Sequence, residues 1–190
     1  KHNSNKYDYG NILVIGGDPG MMGAPQMAAI SALRSGAGLA SAAFCKADAG
    51  QITRFFPEVM TCFYSKPEEI VSLAEKKDVV VFGPGFGKDD PLGDGIMKIL
   101  LKSNKTLVVD ADGLSYLKKQ LKSVNGKQKI VITPHAGELA RLLDKTKEEI
   151  YDSIDKALRD LTKRGIVVVL KGAVTSVVSS DGYICSMEGN

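Results

Sequence analysis

The chain has 190 residues, 44% of them hydrophobic and 25% charged, with 20 glycines and a net charge of +3. That length fits one domain with a sizeable core. The charge is too small and too dispersed to argue for nucleic acid or a membrane surface, and no apolar run is long enough to cross a bilayer.

Residues 1–9 are polar and read as a flexible entry to a single domain over residues 10–190. Strand-like and helix-like runs then alternate. Residues 11–15 are apolar and rich in β-branched side chains, and 25–34 follow as a helix, with Pro25 suited to its first position. Strands are predicted over 38–44, 59–64, 78–82, 106–110, 129–133 and 166–170. Helices are predicted over 48–56, 67–76, 91–102, 114–121 and the run after Glu138. Residues 147–164 form the clearest amphipathic helix, with Ile150, Ile154, Ala157, Leu158 and Leu161 on one stripe and Gly165 as its stop. Two last strands, 175–179 and 183–187, flank Asp181-Gly182, a hairpin signal. This order predicts an α/β fold: a mostly parallel sheet with helices on both faces and an antiparallel hairpin near the C-terminus. Cys45, Cys62 and Cys185 are odd in number and widely spaced. They imply neither a disulfide framework nor a metal site, and free thiols beside apolar strands suit the cytoplasm.

Ligands of open α/β sheets bind outside the carboxyl ends of the strands, and the unusual residues of this chain fall there repeatedly. Gly16-Gly17-Asp18-Pro19-Gly20-Met21-Met22-Gly23-Ala24-Pro25 follows the first strand. It is either a ligand loop or a tight strand-to-helix turn, and it matches neither a P-loop nor the dinucleotide fingerprint. Gly83-Pro84-Gly85-Phe86-Gly87 is a rigid loop whose amides can face a ligand, with Phe86 packed beneath it or stacked on a ring. Asp112 either binds a metal or a ribose hydroxyl or caps the next helix, and Asp110 reads as structural. In Thr133-Pro134-His135-Ala136-Gly137-Glu138, proline ends a strand, and His135 and Glu138 stand three apart at a helix start. A ring nitrogen and a carboxylate there suit a phosphorylated ligand with a metal ion; otherwise Glu138 merely caps its helix. Lys171, in the turn after the strand at 166–170, can meet nucleotide phosphates, with Thr175 nearby.

The ordered set GGDPGMMGAP (16–25), ALRSGAG (32–38), GPGFG (83–87), VVDADGL (108–114), TPHAGELARLL (133–143) and LKGAVT (170–175) resembles the ADP/ATP-dependent NAD(P)H-hydrate dehydratases of the ribokinase-like superfamily. The resemblance runs from about residue 10 through nearly the whole chain. It implies a ribokinase-like fold and repair of NAD(P)H that carries a hydroxyl on its reduced ring. ADP or ATP, with magnesium, would turn a poor leaving group into phosphate, and positioning and charge neutralisation would do the catalysis. By motif, Ala24, Gly85, Gly87, Asp112 and His135 would contact the hydrated dinucleotide. Lys171, Gly172, Ala173, Val174 and Thr175 would border the nucleotide, and Glu138 would help hold magnesium. A homo-oligomer, a tetramer by family resemblance, and a fused or separate epimerase domain are also implied. The family's glycine-threonine-glycine-aspartate segment, which holds its catalytic aspartate, is expected beyond Asn190. The C-terminal part of the family domain is therefore expected to be absent from these 190 residues, and a protein ending there would be inactive or would need another chain. Asp18 stands where a small hydroxyl residue is usual, and Gly113 where alanine is. A kinase of a small alcohol and an inactive nucleotide-binding partner are the alternatives. The reading requires the turns near Gly16, Gly83, Thr133 and Lys171 to share one rim and enclose one cavity for two phosphorylated ligands.

Overall fold

The computed structural model describes residues 5–53 and 55–188, with side chains described to residue 182. Nine strands form one sheet: β1 (Asn11–Ile15), β2 (Leu39–Cys45), β3 (Met60–Tyr64), β4 (Val79–Phe82), β5 (Thr106–Val109), β6 (Ile130–Ile132), β7 (Ile166–Leu170), β8 (Val174–Ser179) and β9 (Gly182–Glu188). Their spatial order is β3-β2-β1-β4-β5-β6-β7-β8-β9. The pairings from β3 to β7 are parallel, and β8 and β9 run antiparallel. The chain winds outward from β1 to β3, then returns to place β4 on the other side of β1. The strand order therefore reverses between β1 and β4, which makes that crevice the topological switch point.

Seven α-helices connect the strands: α1 (Gly23–Arg34), α2 (Glu69–Ala74), α3 (Gly93–Lys102), α4 (Gly113–Gln120), α5 (Ala136–Leu142), α6 (Lys147–Asp152) and α7 (Ile154–Thr162). They divide unequally between the two faces. Side chains of α2 through α7, among them Ile70, Ile96, Leu117, Leu139, Ile150 and Leu158, share one core with Leu13, Val80, Leu107, Ile132 and Val168. Among the described residues only α1 serves the other face, where Ala29 and Ile30 pack on Val14, Ala42 and Phe44. Along β5, β6 and β7 the residues that alternate with the main core (Val108, Val131, Val167 and Val169) are half-buried and belong to neither cluster. Among the described residues no helix is long and apolar enough to cross a membrane.

Several local expectations shift. The single helix expected over 147–164 is two, because Ser153 (φ −138°, ψ 37°) leaves the helical region. Its hydroxyl donates to the Glu149 carbonyl at 2.8 Å, a back-bond that bends helices. The stripe still turns inward: Ile150, Ala157, Leu158 and Leu161 are buried, while Ile154 at the break is half-buried. Residues expected to be helical over 48–56 hold only a 3-10 segment, Lys46–Gln51. Pro25 is third in α1, where its missing N–H still costs nothing. Lys6–Tyr9 form a 3-10 turn that Asn5 caps, and Gly38 N–H donates to the Tyr9 carbonyl, so this part of the entry is held. The hairpin turn lies one residue earlier than expected, since Ser179 pairs with Gly182. Cys45 and Cys62 are free thiols, and the side chain of Cys185 lies outside the described residues.

Candidate functional site

The loops after β1 and β4 meet at the switch point and are joined by their backbones. Gly17 N–H donates to the carbonyls of Pro84 (3.2 Å) and Gly85 (2.9 Å), and Asp18 N–H also reaches Gly85. A Cβ on Gly16 would overlap the Pro84 carbonyl oxygen. Gly83 (φ +120°) has no more room, because a Cβ there would overlap the Asp110 carbonyl and the Gly113 backbone. Gly85 is buried against Met21 and Ala24, whereas Gly87 and Ala24 are half-buried at the surface of the crevice.

Phe86 packs beneath its loop, edge-on to Phe82 with ring centroids 4.7 Å apart and to Tyr116 at 5.6 Å. The buried Tyr116 hydroxyl donates to the Gly87 carbonyl at 2.7 Å and accepts from Asp90 N–H at 2.9 Å. Burial pushes that phenol up to about 12, so it stays a donor. Asp112 occupies the cap position of α4 without capping it; its carboxylate instead accepts Gly87 N–H at 3.1 Å. Asp18 has its carboxyl raised above the ordinary 3.8, first by desolvation and then by the charges of Asp90, Asp48 and Asp112.

At the ends of β5, β6 and β7 the rim is joined by side chains. One oxygen of Asp110 accepts from the Thr133 hydroxyl at 2.7 Å and from Lys171 Nζ at 2.8 Å. Lys171 Nζ also stands 3.9 Å from the Glu138 carboxylate, and its backbone N–H donates to the Pro134 carbonyl at 2.8 Å. His135 and Glu138 form a reciprocal capping box. His135 Nδ1 accepts from the N–H groups of Gly137 (3.0 Å) and Glu138 (3.2 Å), and Glu138 Oε2 accepts His135 N–H at 2.8 Å. The Gly137 and Glu138 amides at this helix start are therefore taken up within the protein. Accepting at Nδ1 leaves the ring proton on Nε2, and the side chain is 53% exposed. His135 thus offers a ligand one donor. β8 begins at Val174, one residue before the expected strand at 175–179, so Val174 leaves the turn after β7 and Thr175 lies in the strand as expected.

Among the described residues no three His, Cys, Asp or Glu side chains are placed to hold a metal. An all-protein cage does not fit. Magnesium commonly binds through one or two carboxylates, with water and substrate phosphates completing its shell. That arrangement fits Glu138, whose second oxygen carries no hydrogen bond and lies 3.7 Å from His135 Nε2.

A family model described as NAD(P)H-hydrate dehydratase matches residues 12–190. The chain belongs to this family. A bifunctional NAD(P)H-hydrate repair enzyme of Moorella thermoacetica is 34% identical over 190 residues, which cover 93% of this chain and 36% of that protein. An ATP-dependent (S)-NAD(P)H-hydrate dehydratase of Drosophila melanogaster is 34% identical, over 90% of this chain and 58% of its own length. A ribokinase-like superfamily protein of Enterococcus faecalis superposes with a TM-score of 0.80 at 25% identity, over 95% of this chain and 63% of the other. The ribokinase-like fold is thus established, and the chain spans only part of the length of these relatives.

Within this dehydratase-family fold, the sequence motifs at the ends of β1, β4, β5, β6 and β7 lie on one continuous hydrogen-bonded rim. A cavity of about 780 Å³ is lined by Lys88, Asp112 and Glu138 together with residues of α4 and α5, and not by Gly16, His135 or Lys171. Sequence reasoning missed Tyr116. The tyrosine gave no signal beyond its place in a helical run, and Asp110, read as structural, is tied to Thr133 and Lys171 across 23 and 61 residues of sequence.

Proposed function

We propose that this protein acts in nucleotide-dependent dehydration of hydrated NADH or NADPH, a metabolite repair reaction. The observation that carries this reading is the single rim that binds the β1 and β4 loops to Asp112 and joins the ends of β5, β6 and β7 through Asp110. On this reading Ala24, Gly87, Asp112 and His135 meet the hydrated dinucleotide, and Gly85 shapes their loop from behind. His135 donates through Nε2–H and cannot act as a base while its Nδ1 caps α5. Lys171 and the following Gly172, Ala173, Val174 and Thr175 border ADP or ATP, and Lys171 exchanges Asp110 for phosphate when the nucleotide arrives. Magnesium carried in by the nucleotide would meet Glu138 and neutralise phosphate charge. Relatives named as ATP-dependent and as ADP-dependent dehydratases support either donor. The phosphoryl group supplies a good leaving group where hydroxide is a poor one.

A reducing cytoplasm, a symmetric homo-oligomer and a fused or separate epimerase domain belong to the same reading. Free thiols and relatives named as bifunctional support the first and third of these. The test is to give the purified full-length protein hydrated NADH, magnesium and either ADP or ATP. The near-ultraviolet absorbance of the reduced nicotinamide should return, and separate assays identify the donor. Silence with both nucleotides, alongside phosphorylation of a small alcohol, would move the assignment to a kinase. Nucleotide binding with neither reaction would leave a binding partner.

A further inference from the structure

The sheet ends on one side at β3, and among the described residues no backbone pairs with the outer edge of that strand. Alternate N–H and C=O groups along such an edge point away from the sheet, and natural proteins blunt them with lysine, proline or a covering segment. β3 itself carries neither lysine nor proline. Its open side chains are apolar instead: Met60 is 42% exposed and Phe63 is 39% exposed. Phe63 is in register with Phe44 of β2 and so stands on the α1 face, and Met60, three residues earlier, stands on the opposite face. Phe55, 60% exposed, is held against α1 by the buried Gln26, whose Oε1 accepts its N–H at 3.1 Å. An unpaired edge that is apolar on both faces is a surface for another strand.

The residues around β3 indicate which strand. They are self-complementary about Cys62: the nearest charge on one side is Glu58 and on the other Lys66, at equal distances, and Pro57 and Pro67 lie one residue farther out. Both charged residues are exposed in the turns that flank the strand. Two copies laid antiparallel across a twofold axis at Cys62 bring Glu58 of each beside Lys66 of the other. Phe63 then meets Thr61 of the second copy on the α1 face, and Met60 meets Tyr64 on the other. Aromatic and β-branched cross-strand pairs of this kind are favourable. The prolines donate no N–H and end the ladder on both sides. An interface that uses the same patch twice is the commonest form of assembly. An unrelated extended peptide would need no such symmetry.

We propose that β3 is a self-association edge, on which a second copy of this chain pairs antiparallel about Cys62 and continues the sheet. The proposal rests on the homo-oligomer named above and gives it a surface. It is independent of the reaction, so failure of the dehydratase assay would not touch it. An assembly built on another surface would defeat it and leave the homo-oligomer standing.

The experiment is sedimentation equilibrium of the purified full-length protein over a range of concentrations. It is repeated on Phe63→Lys, on Glu58→Lys and on the charge-swapped Glu58→Lys/Lys66→Glu variant. The unaltered protein should be a dimer or a multiple of one. Phe63→Lys places a charge in the ladder and should weaken association about thirtyfold or more. Glu58→Lys sets like charges opposite one another at two symmetric positions and should weaken it about tenfold, an effect that shrinks in high salt. The swapped variant should recover the original association. That recovery separates a paired edge from simple misfolding, because the swap carries the same substitution at position 58. A monomer at every concentration, association unchanged in Phe63→Lys, or a swapped variant as weak as Glu58→Lys overturns the proposal.

Discussion

At the β1–β4 switch point the rim is made of backbone, whereas at the ends of β5, β6 and β7 it is made of side chains. The first half depends on glycines that let one loop's amides reach the other loop's carbonyls. The second depends on Asp110, Thr133, His135, Glu138 and Lys171, all with exposed or half-buried side chains. A backbone-built surface is rigid and fixed in shape, so it suits a part of the ligand that must be held still. A side-chain-built surface can exchange partners, as Lys171 must if it is to leave Asp110 for a phosphate. Substitutions in the first half should therefore act on stability, and those in the second on binding.

The largest expected effect is that of Gly83→Ala. Its positive φ and the overlap of the new Cβ with backbone should cost about 3 kcal/mol or more, read from urea unfolding. A loss below about 1 kcal/mol would show a pliable loop and erase the contrast between the halves. Next comes Tyr116→Phe, which leaves Asp90 N–H and the Gly87 carbonyl without their partner and should cost about 1–3 kcal/mol. Faster exchange of the Asp90 amide in the variant would place the loosening in that loop.

His135→Ala should cost about 1 kcal/mol as a lost helix cap and should weaken hydrated-cofactor binding more than nucleotide binding. His135→Asn sharpens the comparison, because asparagine can cap α5 but lacks the Nε2 donor. Stability should return while cofactor binding stays weak. Recovery of both would make His135 a cap and nothing more, and so would an equal loss of both ligands in His135→Ala.

The smallest effect is Asp18→Asn. A carboxyl with a raised pKa in the folded state opposes folding once it ionises, so stability falls as pH climbs through that raised value. Removing the charge should raise Tm slightly at neutral pH, and the gain should vanish in buffer more acidic than the ordinary carboxylate value of 3.8. A gain that persists in acid would mean that the effect is not electrostatic.

Much of the fold was legible because its signals are local. Apolar β-branched runs, glycines at strand ends, and Pro134 before His135 each report on the few residues around them, and β1, β4, β6 and β7 appear within one or two residues of expectation. The break at Ser153 was not legible, since the amphipathic stripe runs unbroken through it and the deciding bond is a hydroxyl turned back on Glu149. Phe86 left two readings open, and packing against Phe82 and Tyr116 chose the buried one. Asp112 left two as well, and the Gly87 amide displaced its role as a cap.

By itself the sequence determined that strands and helices alternate, that chemistry-bearing residues stand after the strands, and which family the motifs resemble. These follow from periodicity, turn chemistry and the order of motifs, none of which needs a distant contact. Only the tertiary structure decided that Asp110 bridges Thr133 and Lys171, that Tyr116 fastens the Gly87 loop, and that six helices share one face of the sheet while α1 stands on the other. Those arrangements join residues far apart in the chain. Their partners are set by how strands order and helices pack, and no single stretch of sequence contains that information.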